Sequence, residues 1–473
     1  MKKLTIALLF IVLSAGLATQ SSAQEVITIQ QAVERTLQNN LQIKQSKLNE
    51  SLSEENLRQA KNDVLPTLNG NGNYSLNFGR SIDPSTNQFI SQRFSGFNGN
   101  LSVGMDLFAG FQKMNQIKQN KILLSADQTA TEKIKNDLVL QVVTSYMQIL
   151  FNRDLLAASK QQQNVAKLTL NQQQQLLDAG NKTLADVSEA KSQAATAELN
   201  VTNAENALTI SVLTLSQLME MPANTPYDVQ APLINSFTDS GTDTNIQEVY
   251  ENALKTFPDI KLASLRSEVS LKAMDIAKGS YFPRLTLGGG VGTNYSSGRQ
   301  VVISRTPTLN QFGQTASGEA VFVPGSDIVT AKQSFGTQFT DNFNQSVGLS
   351  LSIPIFNGFL VRSNVRRAKI NYQGNILQEQ TAKNNLNKVI SQSVADLQAA
   401  RSRYLSTENA FIAQKDAFFV IEQRYNVGLV NSLDYSTSRT NRNKAETDFI
   451  QAKYDLLFRA KVIDYYLGRQ ITF

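Results

Sequence analysis

Few residue types in this chain could carry chemistry, because its 473 residues include no Cys and no His. Disulfides, thiolate nucleophiles, imidazole bases, a Ser-His-Asp triad and a common zinc site are therefore excluded. Asp186 and Asp434 stand out, because each lies six residues after a glycine, Gly180 or Gly428. If several copies of the chain assembled around one axis, a ring of such carboxylates would attract cations. The other interpretation is that each carboxylate is simply a favourable residue in the first turn of a helix. We predict a protein that is not an enzyme and that needs no metal or cofactor.

The first residues predict export. Two lysines precede an uncharged apolar run, residues 4–17, and small residues then offer a cleavage site between Ala23 and Gln24. This is the pattern of a secretory signal peptide covering residues 1–23. A membrane anchor is the alternative, but the apolar run is shorter than the roughly 20 residues that a spanning helix needs.

The net charge of +6 does not indicate a nucleic-acid partner. Lys and Arg are spread along the chain beside Asp and Glu, which is typical of a solvated surface rather than a basic patch. Beyond the predicted signal, no apolar run approaches the length of a spanning helix. Any crossing of a membrane is therefore expected to use β-strands.

The chain contains an internal repeat. An offset of 217 aligns residues 29–68 with 246–285 without a gap, and 12 of the 40 positions are identical. An offset of 248 then aligns Gly180 with Gly428 and Asp186 with Asp434, so an insertion of 31 residues (248 − 217) lies within the second hairpin loop. The predicted segments are a first copy at 24–221, a connector at 222–245, a second copy at 246–467 and a tail at 468–473.

Four segments alternate apolar and polar residues, which predicts two β-hairpins at 67–108 and 285–355. Their polar faces carry Asn, Ser, Thr and Gly, which suits a water-filled lumen, although a soluble sheet is an open alternative. Four strands are too few for a membrane barrel, and exposed edges cannot lie in lipid. We therefore expect three copies to share a twelve-stranded barrel, with the hairpin loops, 79–96 and 296–345, outside the cell.

Long helices are predicted at 112–179 and 360–427, followed by shorter ones at 182–221 and 430–467. A helix at 30–65 and its counterpart precede the hairpins. The apolar seams of the long helices are typical of coiled-coil packing, which also fits a secreted structural or adhesive protein. The predicted fold class is mostly α with a small β part. In it, a long antiparallel α-helical barrel is continued by a β-barrel with four strands from each protomer, closed as a trimer.

Two sequence motifs carry a family resemblance. The run Pro354–Gly358 (PIFNG) lies at a strand-to-helix junction, and the run Tyr425–Leu429 (YNVGL) is followed by Asp434. These two motifs, together with an order of helices and strands that occurs twice, make the whole mature chain resemble the TolC family of outer-membrane channels. The first copy departs from the second at Asn181, and it has Asp106 where the second copy has Pro354. The predicted junctions between barrel and helices are Pro66, Pro283, Pro354, Gly110 and Gly358.

The resemblance implies a homotrimer in outer-membrane lipid, with a helical extension through the periplasm. It also implies two partners, an inner-membrane transporter and a periplasmic adaptor protein. The leading function is passive exit of drugs or other small molecules, as in multidrug efflux, and a type I protein-secretion duct is the alternative. Metal export is less favoured, since the chain has no His and its seven Met are scattered.

The resemblance further assigns roles to the two glycine turns. Three copies of Asp434 would surround a periplasmic aperture, with Asp186 and Tyr425 in the same gate. The family has a second acid three residues after the first, but this chain has Thr437 there, which weakens the ring. The residues expected to dock the adaptor are Ala179, Gly180, Asn181, Val427, Gly428 and Leu429.

Overall fold

A computed structural model describes residues 25–82, 89–91, 93–222, 225–231 and 245–469. The predicted signal peptide, its cleavage site at Ala23 and Gln24, much of the predicted connector and the last four residues lie outside these ranges. The chain divides into two compact units, one formed by residues 1–52, 124–266 and 375–473 and the other by residues 53–123 and 267–374. Each unit draws residues from both predicted copies.

The described chain is mostly helical. Its helices are α1 (Ile29–Asn39), α2 (Leu41–Asn62), α3 (Gln112–Asp178), α4 (Leu184–Leu218), α5 (Ile246–Thr256), α6 (Pro258–Gly279), α7 (Phe335–Asp341), α8 (Leu360–Asn426) and α9 (Ser432–Tyr466). Its strands are β1 (Glu25–Ile27), β2 (Thr67–Asn77), β3 (Ser81–Ile82), β4 (Phe89–Ile90), β5 (Phe94–Ala109), β6 (Tyr227–Val229), β7 (Arg284–Ser296), β8 (Gln300–Gln314), β9 (Ala320–Lys332) and β10 (Asn344–Ser352). Within the described ranges, no helix combines the length and apolar character needed to cross a membrane.

The helix before each hairpin is broken in two, where the sequence predicts one continuous helix. In the first copy α1 ends before Asn40, whose side-chain oxygen accepts from the Gln42 amide at 2.9 Å. In the second copy α5 ends at Thr256, and Phe257 is extended because proline, here Pro258, disfavours helical backbone in the preceding residue. The expectation of an unbroken helix at 30–65 is therefore wrong.

The long helices α3 and α8 have 67 residues each, and α4 and α9 have 35 residues each. Neither long helix contains proline, which would remove a backbone hydrogen bond and clash with the preceding turn. Their apolar residues form a narrow stripe rather than a broad face. Such helices gain most of their stability by packing side by side.

The main core of the first unit joins the start of the described chain to α3 and α4. It contains Val142 and Leu150 of α3 with Leu215 of α4, all fully buried. The Tyr146 hydroxyl lies 2.9 Å from the Ile27 carbonyl oxygen and 2.7 Å from that of Gln230. Burial raises the pKa of Tyr146 to about 12. This phenol anchors the parallel pair of β1 and β6 on the helices.

The second unit contains a four-stranded antiparallel sheet in the order β10-β7-β5-β2. In the first hairpin Thr67 pairs with Gly104, and in the second Arg284 pairs with Ser352. These pairs correspond under the offsets of 217 and 248, so the two hairpins share one register. One face of the sheet is apolar and largely exposed; it includes Leu101, Val103, Leu287, Val347, Leu349 and Leu351.

The segment 296–345, predicted as a long loop, contains regular structure instead. Strands β8 and β9 form a two-stranded hairpin closed around Gly318, which has a φ of +86°. Helix α7 follows. The prediction of a plain loop was wrong because Thr, Gln, Ser and Gly were weighed above the Val, Ile and Phe that favour strands.

The predicted junction residues lie between helices and strands. Pro66 and Pro283 each directly precede a strand, and Pro354 follows β10. Gly110 and Gly358 each precede a long helix with φ of +58° and +60°. A Cβ on Gly110 would lie 2.1 Å from the Gly279 carbonyl oxygen, whereas nothing lies within 4 Å of a Cβ on Gly358.

Candidate functional site at the two helix turns

Each long helix ends in a glycine turn of the same geometry. Gly180 has a φ of +73° and Gly428 a φ of +79°, a conformation that glycine adopts at little cost. The amide after each glycine donates back into the helix, from Asn181 to the Leu176 carbonyl at 2.8 Å and from Leu429 to the Arg424 carbonyl at 2.9 Å. All six residues predicted as docking positions are exposed: Ala179, Gly180, Asn181, Val427, Gly428 and Leu429.

The carboxylate of Asp186 is held by three short contacts. Its Oδ2 accepts from the Thr183 hydroxyl at 2.7 Å and from the Thr183 amide at 3.1 Å, while Thr183 caps the start of α4. Its Oδ1 accepts from the Ser432 hydroxyl at 2.6 Å, which joins α4 to the start of α9. These hydrogen bonds, with Ser432 contributing most, lower the pKa of Asp186 to about 2.

The corresponding residue of the second copy, Asp434, has a different environment. Its Oδ2 accepts from the Asn431 side-chain amide at 3.0 Å, and its backbone amide donates to Asn431 Oδ1 at 2.8 Å. Both contacts lie within the first turn of α9, and the side chain is exposed. This carboxylate is therefore open to solvent, while that of Asp186 is bound within the protein.

Two stacked tyrosines pack beside the turns. The rings of Tyr425 and Tyr435 lie 4.3 Å apart and nearly parallel. The ammonium of Lys182 lies 5.1 Å from the Tyr425 ring centre, and the guanidinium of Arg439 lies 5.6 Å from the Tyr435 ring centre. Burial raises the pKa of Tyr425, and the negative charge of Asp186 adds to this effect.

The structure therefore groups Asp186 with Tyr425, and it leaves Asp434 on the exposed first turn of α9. Several contributors were missed by sequence reasoning: Lys182, Ser432, Tyr435 and Arg439. Ser432 is the first residue of α9, and Arg439 follows Tyr435 by one helical turn. The four-residue spacing of Tyr435 and Arg439 would have indicated that these two side chains are neighbours on the helix. No local signal predicts the contact between Ser432 and Asp186.

The arrangement is a set of hydrogen bonds between helices, and we call it the latch; its donor and acceptor residues are Asp186 with Ser432, Arg439 with Thr169, and Gln193 with Ser436. Arg439 is 7% exposed, and its guanidinium donates to the Thr169 hydroxyl at 3.2 Å. Gln193 also donates to the Ser436 hydroxyl, between α4 and α9. No group of acidic residues that could hold a metal ion occurs in the part of the chain that the structure describes.

The fold is that of solved outer-membrane channels. The structure of the outer membrane protein VceC from Vibrio cholerae matches with a TM-score of 0.73 at 16% identity, covering 93% of this chain and 96% of that one. Long helices paired through glycine turns, together with a four-stranded antiparallel sheet, thus give the chain the fold of these outer-membrane proteins.

The family follows from the sequence comparison. The family model described as outer membrane efflux protein matches residues 32–219 and 249–469. The outer membrane protein TolC of Escherichia coli (strain K12) is 23% identical over 98% of this chain and 86% of its own length. The toxin and drug export protein A of Aggregatibacter actinomycetemcomitans is 22% identical over 91% of this chain and 83% of its own length. The chain belongs to the outer membrane efflux protein family and is an outer-membrane protein.

Proposed function

We propose that three copies of this chain form one channel and that the channel is a passive exit duct. Each copy contributes its four-stranded sheet to a twelve-stranded barrel in the outer membrane. The long helices form a duct in the periplasm. An inner-membrane transporter and a periplasmic adaptor supply the substrate and the energy, and the adaptor docks at the exposed turns around Gly180 and Gly428.

The observation that carries this proposal is the pair of open sheet edges. Within the described residues, β2 and β10 each have a strand on one side only. The apolar face between them is exposed, with Val347 at 84% and Leu349 at 66%. Unpaired edges are not tolerated in lipid, so each edge needs a strand from another copy.

The internal repeat supplies a register for that pairing. Within one chain β5 of the first copy pairs with β7 of the second, and Ser102 lies opposite Gly290. Applying the offsets of 248 and 217 to this pair places Ser350 of β10 opposite Asn73 of β2 in the partner subunit. Both residues lie on the polar face of the sheet, as a lumen-facing pair requires.

The glycine junctions support the same arrangement. Gly110 packs against the backbone of Gly279 at the end of α6. The repeat relates this contact to one between Gly358 and residue 62 at the end of α2 in the partner subunit. The space around Gly358 is empty in the single chain, as an intersubunit contact would leave it.

Support for a choice of cargo comes from the names of the relatives. The name of the Aggregatibacter relative specifies export of toxin and drug, so small molecules and proteins are both compatible with this fold. We favour small-molecule efflux. An unchanged drug susceptibility together with a lost secreted protein, after deletion of the gene, would instead favour protein secretion.

Disulfide cross-linking tests the trimer and its register, because the chain has no Cys of its own. The double variant Asn73→Cys/Ser350→Cys is oxidised in outer membranes and separated without reductant. We expect reducible dimers and trimers, because each subunit offers one cysteine to each neighbour. In detergent, the particle should have three times the mass of one chain.

Two controls make the result specific. Asn98→Cys/Asn294→Cys joins residues that pair within one chain, so it should form a disulfide without raising the mass. Asn73→Cys/Ser346→Cys places the second cysteine four residues out of register and should cross-link far less. A stable monomer in detergent, or equal cross-linking in and out of register, would contradict the proposal.

A further inference from the structure

The short helix α7 is fastened to the end of β7 by a buried glutamine. Gln338 is fully buried, and its Oε1 accepts from the Ser296 amide at 2.9 Å. Its Nε2 donates to the Ser296 carbonyl at 2.9 Å and to the Gln333 carbonyl at 3.0 Å. Asn342 Nδ2 also donates to the Asn294 carbonyl at 2.7 Å. Because α7 is tied to backbone on both sides, it has a fixed place on the sheet.

That place is on the apolar face, at the end of the sheet where the strands enter the loops. The Phe335 ring lies 5.2 Å from the ring of Tyr295 and 6.5 Å from that of Phe97. Phe97 and Tyr295 are opposed in the register, so they share one face with the opposed pair Leu101 and Val291. Helix α7 thus continues the apolar face beyond the strands.

The outer surface of α7 is aromatic and only partly covered. Phe335 is 52% exposed, Phe339 is 43% exposed, and Phe343, two residues after the end of the helix, is 53% exposed. Phe335 and Phe339 are four residues apart, so they lie on one side of the helix. The segment also carries polar groups at its ends, since Arg299 donates to Asn342 and Asp341 accepts from Gln333.

We infer that α7 is an interfacial anchor that contacts membrane lipid at the boundary between acyl chains and headgroups. The inference rests on the proposed function, in which the apolar face of the sheet meets the bilayer. Whatever covers Leu101 and Val291 must also meet Phe335 and Phe339, because the two surfaces are continuous. Aromatic side chains beside polar groups are the composition found at membrane interfaces and in the girdles of outer-membrane proteins.

Tryptophan fluorescence tests this inference directly, because the chain has no Trp. The variant Phe339→Trp is reconstituted into phosphatidylcholine vesicles whose acyl chains carry bromine either near the glycerol or near the terminal methyl group. Bromine quenches a tryptophan that it can touch. We expect Phe339→Trp to lose emission in both brominated lipids, and to lose more when the bromine is near the glycerol. Phe343→Trp serves as a second probe should Phe339→Trp fail to fold.

Two reference variants separate this inference from the proposed function. Leu349 lies on the apolar face of β10, so Leu349→Trp should be quenched if the sheet is in the bilayer. Phe312 lies on the β8–β9 hairpin and is 79% exposed, so Phe312→Trp gives the quenching expected at a solvent-exposed site. If Leu349→Trp is quenched but Phe339→Trp is quenched no more than Phe312→Trp, the anchor is overturned and the membrane sheet is not. Absence of quenching in Leu349→Trp overturns the proposed membrane sheet and the anchor with it.

Discussion

The two glycine turns have the same backbone but different carboxylates. Both turns have a positive-φ glycine, the same hydrogen bond back into the helix, and an aspartate six residues later. Asp186 of the first turn is bonded to Thr183 and to Ser432, whereas the contacts of Asp434 within the described residues lie in its own helix turn and its side chain is exposed. The same spacing of glycine and aspartate therefore gives a structural carboxylate at one turn and an available one at the other.

The repeat predicts that this difference also holds in the proposed ring of subunits. Within one chain Asp186 accepts from Ser432, which lies two residues before Asp434. The equivalent contact between subunits would place Asp434 beside residue 184 of the partner subunit, and that residue is a leucine. A leucine side chain has no hydrogen-bond donor. We therefore propose Asp434 as the charge facing the aperture, and Asp186 as part of the latch that holds neighbouring helices together.

The largest expected effect is on cation block of the reconstituted channel. In planar bilayers, Asp434→Ala should weaken block by a trivalent cation by about tenfold or more, since each carboxylate a few ångströms from a cation contributes on the order of 1 kcal/mol even in water. Single-channel conductance should rise. Asp186→Ala is the matched control, with block changed by less than about twofold by the same reasoning. Equal effects of the two variants would remove the distinction between the turns.

A second effect concerns the stability of the first turn and its pH dependence. Asp186→Ala removes the carboxylate that completes the capping box with Thr183. Amides at the start of α4 should therefore exchange hydrogen about 2- to 30-fold faster near pH 6. The pKa of Asp186 is lowered to about 2, and the free side chain titrates near 3.9. The stabilisation is therefore present above about pH 4 and is lost as the pH falls toward 2.

Hydrogen exchange measured by mass spectrometry, corrected for the intrinsic effect of pH, checks both parts. The wild-type protein and Asp186→Ala should differ at pH 6 and converge near pH 2. A difference that persisted unchanged at pH 2 would mean that the carboxylate charge does not stabilise this turn.

The smallest effect tests whether the two turns are coupled. Lys182 belongs to the first turn, but its ammonium lies over the ring of Tyr425 at the end of α8. Lys182→Gln should make amides in the last turn of α8 exchange about two- to fivefold faster, because an exposed cation–π contact contributes about 0.5–1 kcal/mol. Lys191→Gln, at another exposed position, should leave them unchanged. A response confined to the first turn would show that Lys182 does not couple the two.

Much of the fold could be predicted because its signals are local. Alternation of apolar and polar residues indicated the strands of the hairpins, and the absence of proline indicated the long helices. The break at Asn40 was missed. The Asn40 side chain accepts from the nearby Gln42 amide, but it also donates to the Leu218 carbonyl, far along the chain. The strands β8 and β9 were missed because their polar residues were weighed above their Val, Ile and Phe. Two bulges in β8 also disturb its period of two.

The sequence by itself determined the repeat, the turn glycines and the positions of Asp186 and Asp434, since each depends on residue type and spacing alone. Only the tertiary structure decided which carboxylate is bound and which is open. The deciding hydrogen bond joins Ser432 to Asp186 across 246 positions of sequence. Such a contact depends on how two helices pack side by side, and no local sequence pattern encodes which residues of the two helices meet.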